Sequence, residues 1–349
     1  MQKSINSGAI IVTSISEPNP VLRSLAEGAS RHGLSFIVVG DLKTPEFAIN
    51  GCSYYDVASQ IATDFEYAKL CPTHSYARKN IGYLLAIRGG VDWVAETDDD
   101  NFPRESFWSP RTQQVSGTKV TSEQNGSVDW CNVYDFFSRD TFIYPRGFPI
   151  ELAKERHKSP PPTVTWEGFS PIQQGLADGN PDVDAIYRML YPLPVTFETR
   201  SPVALGKSVY CPFNSQNTTF FREAFPLLYL PAHCSFRMTD IWRSFVAQRV
   251  LQSCGWSLTF HNATVWQERN EHDLLCDFEQ EIPGYLNNRR IVDTLAALEL
   301  KPFALVENLT LCYEALIELG VVGAEERTLL NAWLNDLDAL GASQLKFEE

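Results

Sequence analysis

The residues best suited to chemistry stand together at 98–100, where the stretch VDWVAETDDDN (91–101) runs from an apolar segment straight into three aspartates. Adjacent carboxylates repel one another, and that repulsion costs free energy unless a cation or strong donors lie between them. In an extended segment Asp98 and Asp100 face one way and Asp99 the other. Two carboxylates on one side suit a hard divalent cation, Mn²⁺ or Mg²⁺, which takes oxygen ligands and completes its shell with phosphate and water. The pattern predicts a metal–diphosphate site, with a solvated acidic turn as the plain alternative.

Counter-charges are close by in sequence. In SYARKNIGY (75–83), Arg78, Lys79 and Asn80 fall near the start of a helix, where free N–H groups and the dipole already favour anions. Thr13, Ser14, Asp41 and Lys43 follow two short apolar runs and are candidates for holding a nucleoside. Asp240, in FRMTDIWRSF, lies where a cap or first-turn carboxylate belongs, and is equally a candidate general base for an acceptor hydroxyl. Arg146 sits in a turn flanked by Pro and Gly (YPRGFPIE), its guanidinium suited to clamping a phosphate or carboxylate. Asp182 and Asp184, one residue apart in GNPDVDAIY, are candidates with Asn214 for orienting a sugar or acceptor.

These side chains need a frame. GAIIVTSI, LSFIVVGD and VDWVAETD read as strands, separated by helical patterns over 18–33, 56–69 and 75–90. Such alternation implies a mostly parallel α/β sheet, whose ligands bind beyond the carboxyl ends of the strands. Thr13, Ser14, Asp41, Asp98 and Asp100 all fall at those ends. Farther on, 103–127 reads as a polar cover, 154–172 as a stiff Pro-rich connector, and 128–133, 194–199 and 257–265 as strands. A helix begins near Asp240, and only helical patterns follow residue 270. The expected division is a catalytic α/β domain over 1–270 and a helical appendage over 271–349, whose amphipathic helices offer a surface for a homodimer.

Composition narrows the class. The chain has 349 residues, 44% of them hydrophobic, enough for a substantial core, and a formal net charge of −14 with no basic run, which argues against nucleic-acid binding. No apolar stretch has the length of a transmembrane helix, so a cytoplasmic location is expected. The eight cysteines show no zinc spacing and read as reduced thiols. No GxGxxG, Walker A, GxSxG or HExxH motif occurs.

On SYARKNIGYLLAI, ETDDD, YPRGFPIE, QQGLADGNPDVDAIY and CPFNSQNTTFFREAFPLLYLP, the chain resembles the glycosyltransferase-like domain of the STELLO proteins. More distantly it resembles the reversibly glycosylated polypeptides, the plant UDP-arabinopyranose mutases. The resemblance covers about 8–270 and leaves the C-terminal helices outside. It implies a GT-A-like fold with Asp98–Asp100 as the Asp-x-Asp metal motif and with Arg78 and Lys79 in the nucleotide-sugar site, which Asp99 also joins. Arg146 matches the arginine that becomes glycosylated in the mutase relatives, and Asp240 the catalytic base of inverting enzymes. Relatives often carry a metal-ligating His after the last strand of the domain, where this chain has Gln267, a poorer ligand.

The implied activity is inverting, metal-dependent transfer of a sugar from a nucleotide-diphosphate sugar, UDP-linked, to a glycan or other hydroxyl acceptor. A setting in bacterial surface-glycan synthesis is expected by analogy. The alternatives are a nucleotide-sugar mutase and a non-catalytic interaction protein on a degenerate transferase fold.

Overall fold

The computed structural model of the chain describes residues 7–122, 128–138, 142–154, 161–268 and 273–343. Strand β1 (Gly8–Thr13) leads into helix α1 (Pro20–His32), which Asn19 caps through the Leu22 N–H and which ends at Gly33, where φ is 67°. Glycine, lacking Cβ, adopts that left-handed geometry at little cost. Strands β2 (Ser35–Val39) and β3 (Ser53–Tyr55) follow. The single helix expected over 56–69 is two short ones, α2 (Val57–Ile61) and α3 (Glu66–Leu70). The Thr63 hydroxyl donates to the Gln60 carbonyl at the break. Helix α3 then starts under a distant cap: Asp336 accepts from the Glu66 and Tyr67 N–H groups, both at 2.9 Å. A 3-10 turn (Tyr76–Arg78) runs into α4 (Lys79–Arg88), and β4 (Trp93–Thr97) leads to the aspartates.

Beyond β4 the structure departs from the expectation. After β5 (Asn101–Pro103), the predicted polar cover contains a seven-residue strand, β6 (Gln114–Val120). The run expected at 128–133 is a two-residue strand, β7 (Asp129–Trp130), followed by the short helices α5 (Tyr134–Phe137) and α6 (Ile150–Ala153). The predicted connector gives β8 (Thr163–Phe169), and β9 (Ile172–Gly179) comes directly after it; residues 155–160 of that stretch lie outside the described residues. Helix α7 (Ala185–Leu190) follows. The strand expected at 194–199 is absent, and only Val195 makes a bridge, to Gly179. Then come β10 (Val203–Leu205), β11 (Val209–Tyr210), β12 (Asn217–Phe221), α8 (Thr239–Ser253) and β13 (Leu258–Gln267). The chain closes with α9 (Leu274–Ala297), α10 (Leu305–Glu318) and α11 (Glu326–Ala339).

Eleven strands form one mixed sheet in the order β3-β2-β1-β4-β12-β9-β13-β10-β6-β8, with β5 paired to β13 off that path. Traced through the pairings, β1, β2, β3, β4, β8, β9 and β13 point one way, and β5, β6, β10 and β12 the other. The architecture is a mixed, mostly parallel α/β sheet flanked by helices. One continuous apolar core joins the sheet to the last three helices: Tyr67, Tyr229, Tyr313 and Trp333 are all fully buried in it. Among the described residues, no helix is long and apolar enough to cross a membrane. All eight cysteines are free thiols.

Candidate active site

Strands β1, β2, β4, β9 and β13 all end at the same edge of the sheet, and the segment leading into the oppositely directed β12 starts there. A cavity of about 440 Å³ opens at this edge. Thr13, Ser14, Asp41, Lys43, Arg78, Asp98, Asp99, Asp100, Arg146, Asp182, Asn214, Asp240 and Gln267 all line it. Residues from nine separate segments are thus brought together as the strand-end rule requires. Lys79, Asn80 and Asp184 do not line it.

The three aspartates are not in an extended segment. They form a turn between β4 and β5, with the Asn101 N–H reaching the Asp98 carbonyl at 3.4 Å, so strict alternation of sides does not apply. Each carboxylate instead finds its own donor. Asp98 Oδ1 accepts from the Tyr76 hydroxyl at 2.9 Å and from Lys79 Nζ at 3.2 Å. Asp99 accepts from the Ser14 hydroxyl at 2.5 Å, and burial raises its pKa. Asp100 accepts from Gln267 Nε2 at 3.1 and 3.2 Å. The other end of that amide, Gln267 Oε1, is buried and has no hydrogen-bond partner among the described residues. A buried carbonyl oxygen left unpaired next to the Asp100 carboxylate is an atom suited to a cation or a donor. Among the described residues, no three His, Cys, Asp or Glu side chains cluster as a complete metal cage.

Lys79 works from below the cavity. Its ammonium is fully buried and shares its three N–H groups among four acceptors: the Tyr76 hydroxyl (2.7 Å), the Thr97 carbonyl (2.9 Å), Asp98 and the Ser215 carbonyl (3.3 Å). It fixes the Asp98 end of the turn and cannot reach a ligand directly. Arg78 is buried too; it donates to Gln60 Oε1 and to the carbonyls of Cys71 and Pro72, and its second terminal nitrogen has no partner among the described residues. Among the described residues its hydrogen-bond partners are carbonyl and amide oxygens. Asn80 ties α4 to the Leu230 backbone through both halves of its amide, at 2.9 and 3.0 Å. Its role is structural.

The opposite wall is a buried ion cluster. Arg146 Nε and Nη2 donate to the two oxygens of Asp182 at 2.8 and 2.9 Å, and Nη1 and Nη2 to those of Asp240 at 3.0 and 2.9 Å. Nη1 also donates to the Arg237 carbonyl. All five N–H groups are engaged, so the expected free guanidinium clamp is absent from this arrangement. Burial alone would raise the pKa of Asp240, but Arg146 overrides it and holds the carboxyl down at about 2. A carboxylate so held is a weak base, contrary to the general-base expectation. Asp240 is aimed by α8, which a second buried pair fixes to the sheet: Arg243 bridges Glu96 of β4 at 3.0 and 2.6 Å, and Tyr83 of α4 donates to the same carboxylate. Asp184 lies behind this wall as the N-cap of α7, accepting from the Tyr187 N–H at 2.7 Å.

Sequence reasoning missed Tyr76, Ser215, Phe236 and Arg237, all lining the cavity. Tyr76 and Ser215 are 139 residues apart, and their hydroxyls meet at 2.6 Å. Neither carries a charge or a motif that would single it out; the only signal was their place beside Lys79 and Asn214.

Comparison with known proteins bears on the same segments. The sequence profile of the STELLO glycosyltransferases matches residues 237–348. Two Arabidopsis thaliana proteins, the probable glycosyltransferases STELLO1 and STELLO2, are each 27% identical over 96% of this chain. This chain is similar to the STELLO glycosyltransferases. The match includes α9, α10 and α11, which corrects the expectation that the resemblance stops near residue 270. The chain spans 45% of the length of each STELLO relative. Two crystal structures of mycobacterial proteins are similar in backbone. The M. tuberculosis glucosyl-3-phosphoglycerate synthase is 11% identical, with 81% of this chain and 80% of that one covered and a TM-score of 0.38. The second is 9% identical, with 82% and 75% covered and a TM-score of 0.39.

Proposed function

We propose that the chain is a GT-A-like glycosyltransferase that transfers a sugar from a nucleotide-diphosphate sugar, UDP-linked, to a hydroxyl acceptor, with the help of a divalent cation. The observation that carries this reading is the pairing of poles within one cavity. Asp98, Asp100 and the orphaned Gln267 Oε1 lie on one side and the Arg146–Asp182–Asp240 cluster on the other. Asp98, Asp100 and Gln267 would hold Mn²⁺ or Mg²⁺; an all-oxygen donor set suits either ion, and the shell leaves room for diphosphate oxygens. When bound, such an ion neutralises charge that develops on a departing diphosphate.

The protein's own residues supply the rest. Lys79 and Tyr76 hold Asp98 in place, and Gln267 holds Asp100, so the carboxylates are oriented before a ligand arrives. Thr13, Ser14, Asp41 and Lys43 line the end of the cavity formed by β1 and β2, where a nucleoside fits; the Thr13 hydroxyl is buried and has no partner among the described residues. Arg78, whose hydrogen-bond partners among the described residues are neutral oxygens, places a positive charge at that wall, favourable to an anion. Asp182 and Asp240, with Asn214 beside them, face the acceptor side. Inverting chemistry needs one of the two carboxylates freed from Arg146, so that it can accept the acceptor's proton. The full engagement of Arg146 counts against a ring-isomerising role for it, and so against the mutase reading.

The test is thermal stabilisation by a panel of nucleotide sugars, with and without Mn²⁺, on wild type and on Asp98→Ala/Asp100→Ala. A donor at 100 times its dissociation constant should stabilise the fold by about 2.7 kcal/mol. The expected result is a metal-dependent shift with uridine donors that disappears in the double variant. No shift with any donor would overturn the proposal and leave the aspartates as a structural turn.

A further inference from the structure

A short hydrogen-bonded chain links the two poles of the cavity. Asp98 Oδ1 lies 2.9 Å from the Tyr76 hydroxyl, that hydroxyl lies 2.6 Å from Ser215 Oγ, and Ser215 Oγ lies 3.3 Å from Asp240 Oδ2. The chain has three oxygen–oxygen contacts. The two end oxygens belong to carboxylates, which only accept, and the two middle oxygens are hydroxyls with one proton each. Two protons cannot fill three gaps.

Three arrangements exhaust the possibilities. Tyr76 donates to Asp98 while Ser215 donates to Asp240, leaving the middle contact bare. Or Tyr76 donates to Ser215 and Ser215 to Asp240, leaving Asp98 bare. Or Ser215 donates to Tyr76 and Tyr76 to Asp98, leaving Asp240 without the serine proton. Lys79 donates into the tyrosine oxygen in each case and supplies no acceptor. The Ser215 N–H, 3.2 Å from Asp240 Oδ2, holds the serine backbone in place while its hydroxyl turns. The network therefore has discrete states of similar geometry, which is the physical requirement for coupling two sites.

We propose that Tyr76 is a positioning residue that couples occupancy of the Asp98 pole to the hydrogen bonding of Asp240, by turning its hydroxyl proton from Asp98 to Ser215. This rests on reading Asp98 as a cation ligand. A cation held by the Asp98 carboxylate would repel a proton aimed at that carboxylate, and so would select the arrangement in which Tyr76 donates to Ser215 and Ser215 donates to Asp240. The acceptor-side carboxylate is then held by a cooperative pair of hydrogen bonds only when the donor side is loaded. By linkage, a change at the Ser215 end alters cation affinity at the Asp98 end by the same factor.

The test is a double-mutant cycle read by Mn²⁺ affinity alone, measured calorimetrically or by paramagnetic resonance on the full chain, without substrate or turnover. Ser215→Ala removes the alternative acceptor without changing charge, so the Tyr76 proton stays on Asp98 and opposes the cation. Mn²⁺ binding should weaken by about five-fold. In a Tyr76→Phe background there is no proton to redirect, and Ser215→Ala should leave affinity unchanged. Equal effects of Ser215→Ala in both backgrounds, or none in either, would overturn the coupling while leaving the metal site standing. Absence of Mn²⁺ binding in wild type would overturn the metal reading itself, and this inference with it. Circular dichroism checks that each variant is folded; if Ser215→Ala is not, Asp240→Asn takes its place in the cycle, with the same dependence on Tyr76 expected.

Discussion

Asp182, Asp240 and Arg146 show how little of a site's chemistry is carried by residue type alone. Each was legible in the sequence as a candidate, because carboxylates and a turn arginine are uncommon between apolar runs. Their mutual pairing was not, because 36 and 94 residues separate Arg146 from its two partners. The pairing reverses the expected roles: the arginine is engaged on all sides, and Asp240 is held far below the range of a useful base. Stability should follow. A group whose pKa is depressed on folding stabilises the protein above its unfolded pKa, and that stabilisation is lost as pH falls through the folded value. For Asp240 the window runs from the ordinary carboxylate range near 3.8 down to about 2. Urea unfolding at pH 5 and at pH 3 should show a loss in wild type that is smaller in Asp240→Asn. Arg146→Ala, which leaves two buried carboxylates unpaired, should destabilise by about 3–5 kcal/mol at neutral pH. A loss under 1 kcal/mol would mean that the cluster is hydrated and not the closed ion network described.

Elements were legible where their burial is apolar and obscure where it is polar. β1, β2, β4, α1, α4 and α8 follow hydrophobic patterns, whereas β9 and β12, buried along their whole length, show none and carry no element predicted from the sequence. Most of their polar side-chain atoms are paired inside the sheet, Gln173 Oε1 being an exception among the described residues. Gln173 Nε2 reaches the carbonyls of Thr112 and Ser170, the amide of Gln174 meets the side chain and N–H of Asn214, and Asn217 donates to Thr264. Buried amides paired this way cost little, but in sequence they are indistinguishable from surface residues. Asp184 raises the opposite question at the start of α7. Burial pushes its carboxyl up to about 6, with Glu281 adding repulsion, while the Tyr187 N–H, the Tyr144 hydroxyl and Arg188 pull the other way. A raised carboxyl gives stability that is complete below its unfolded pKa, near 3.8, and is lost as pH rises through 6. Asparagine caps a helix about as well as aspartate and carries no charge. Asp184→Asn should therefore gain on the order of 2 kcal/mol at pH 8 and almost nothing at pH 4. Denaturation at the two pH values checks this, and equal shifts at both would remove ionisation as the cause.

At the scale of the whole molecule, the question is whether the C-terminal helices are an appendage. The expected boundary at 270 follows a real change in pattern, from alternating to all-helical. Packing, however, crosses it at several points that bear on the cavity. Trp333 of α11 is fully buried and makes edge and tilted contacts with Tyr67 and Tyr229 at 6.2 and 5.9 Å. The Tyr67 hydroxyl accepts from Asn80, one residue from Lys79, and Asp336 caps the helix in which Tyr67 lies. Glu326, its pKa raised by burial, accepts from the Tyr229 hydroxyl and from the N–H groups of Ala232 and His233, just ahead of the segment that carries Phe236, Arg237 and Asp240. Two walls of the cavity are thus braced from the far end of the chain. A region so interlocked should not unfold separately. Scanning calorimetry should show one cooperative transition, and Trp333→Ala should lower the whole of it by about 3–5 kcal/mol. If the helices were autonomous, two transitions would appear and the substitution would move only one of them.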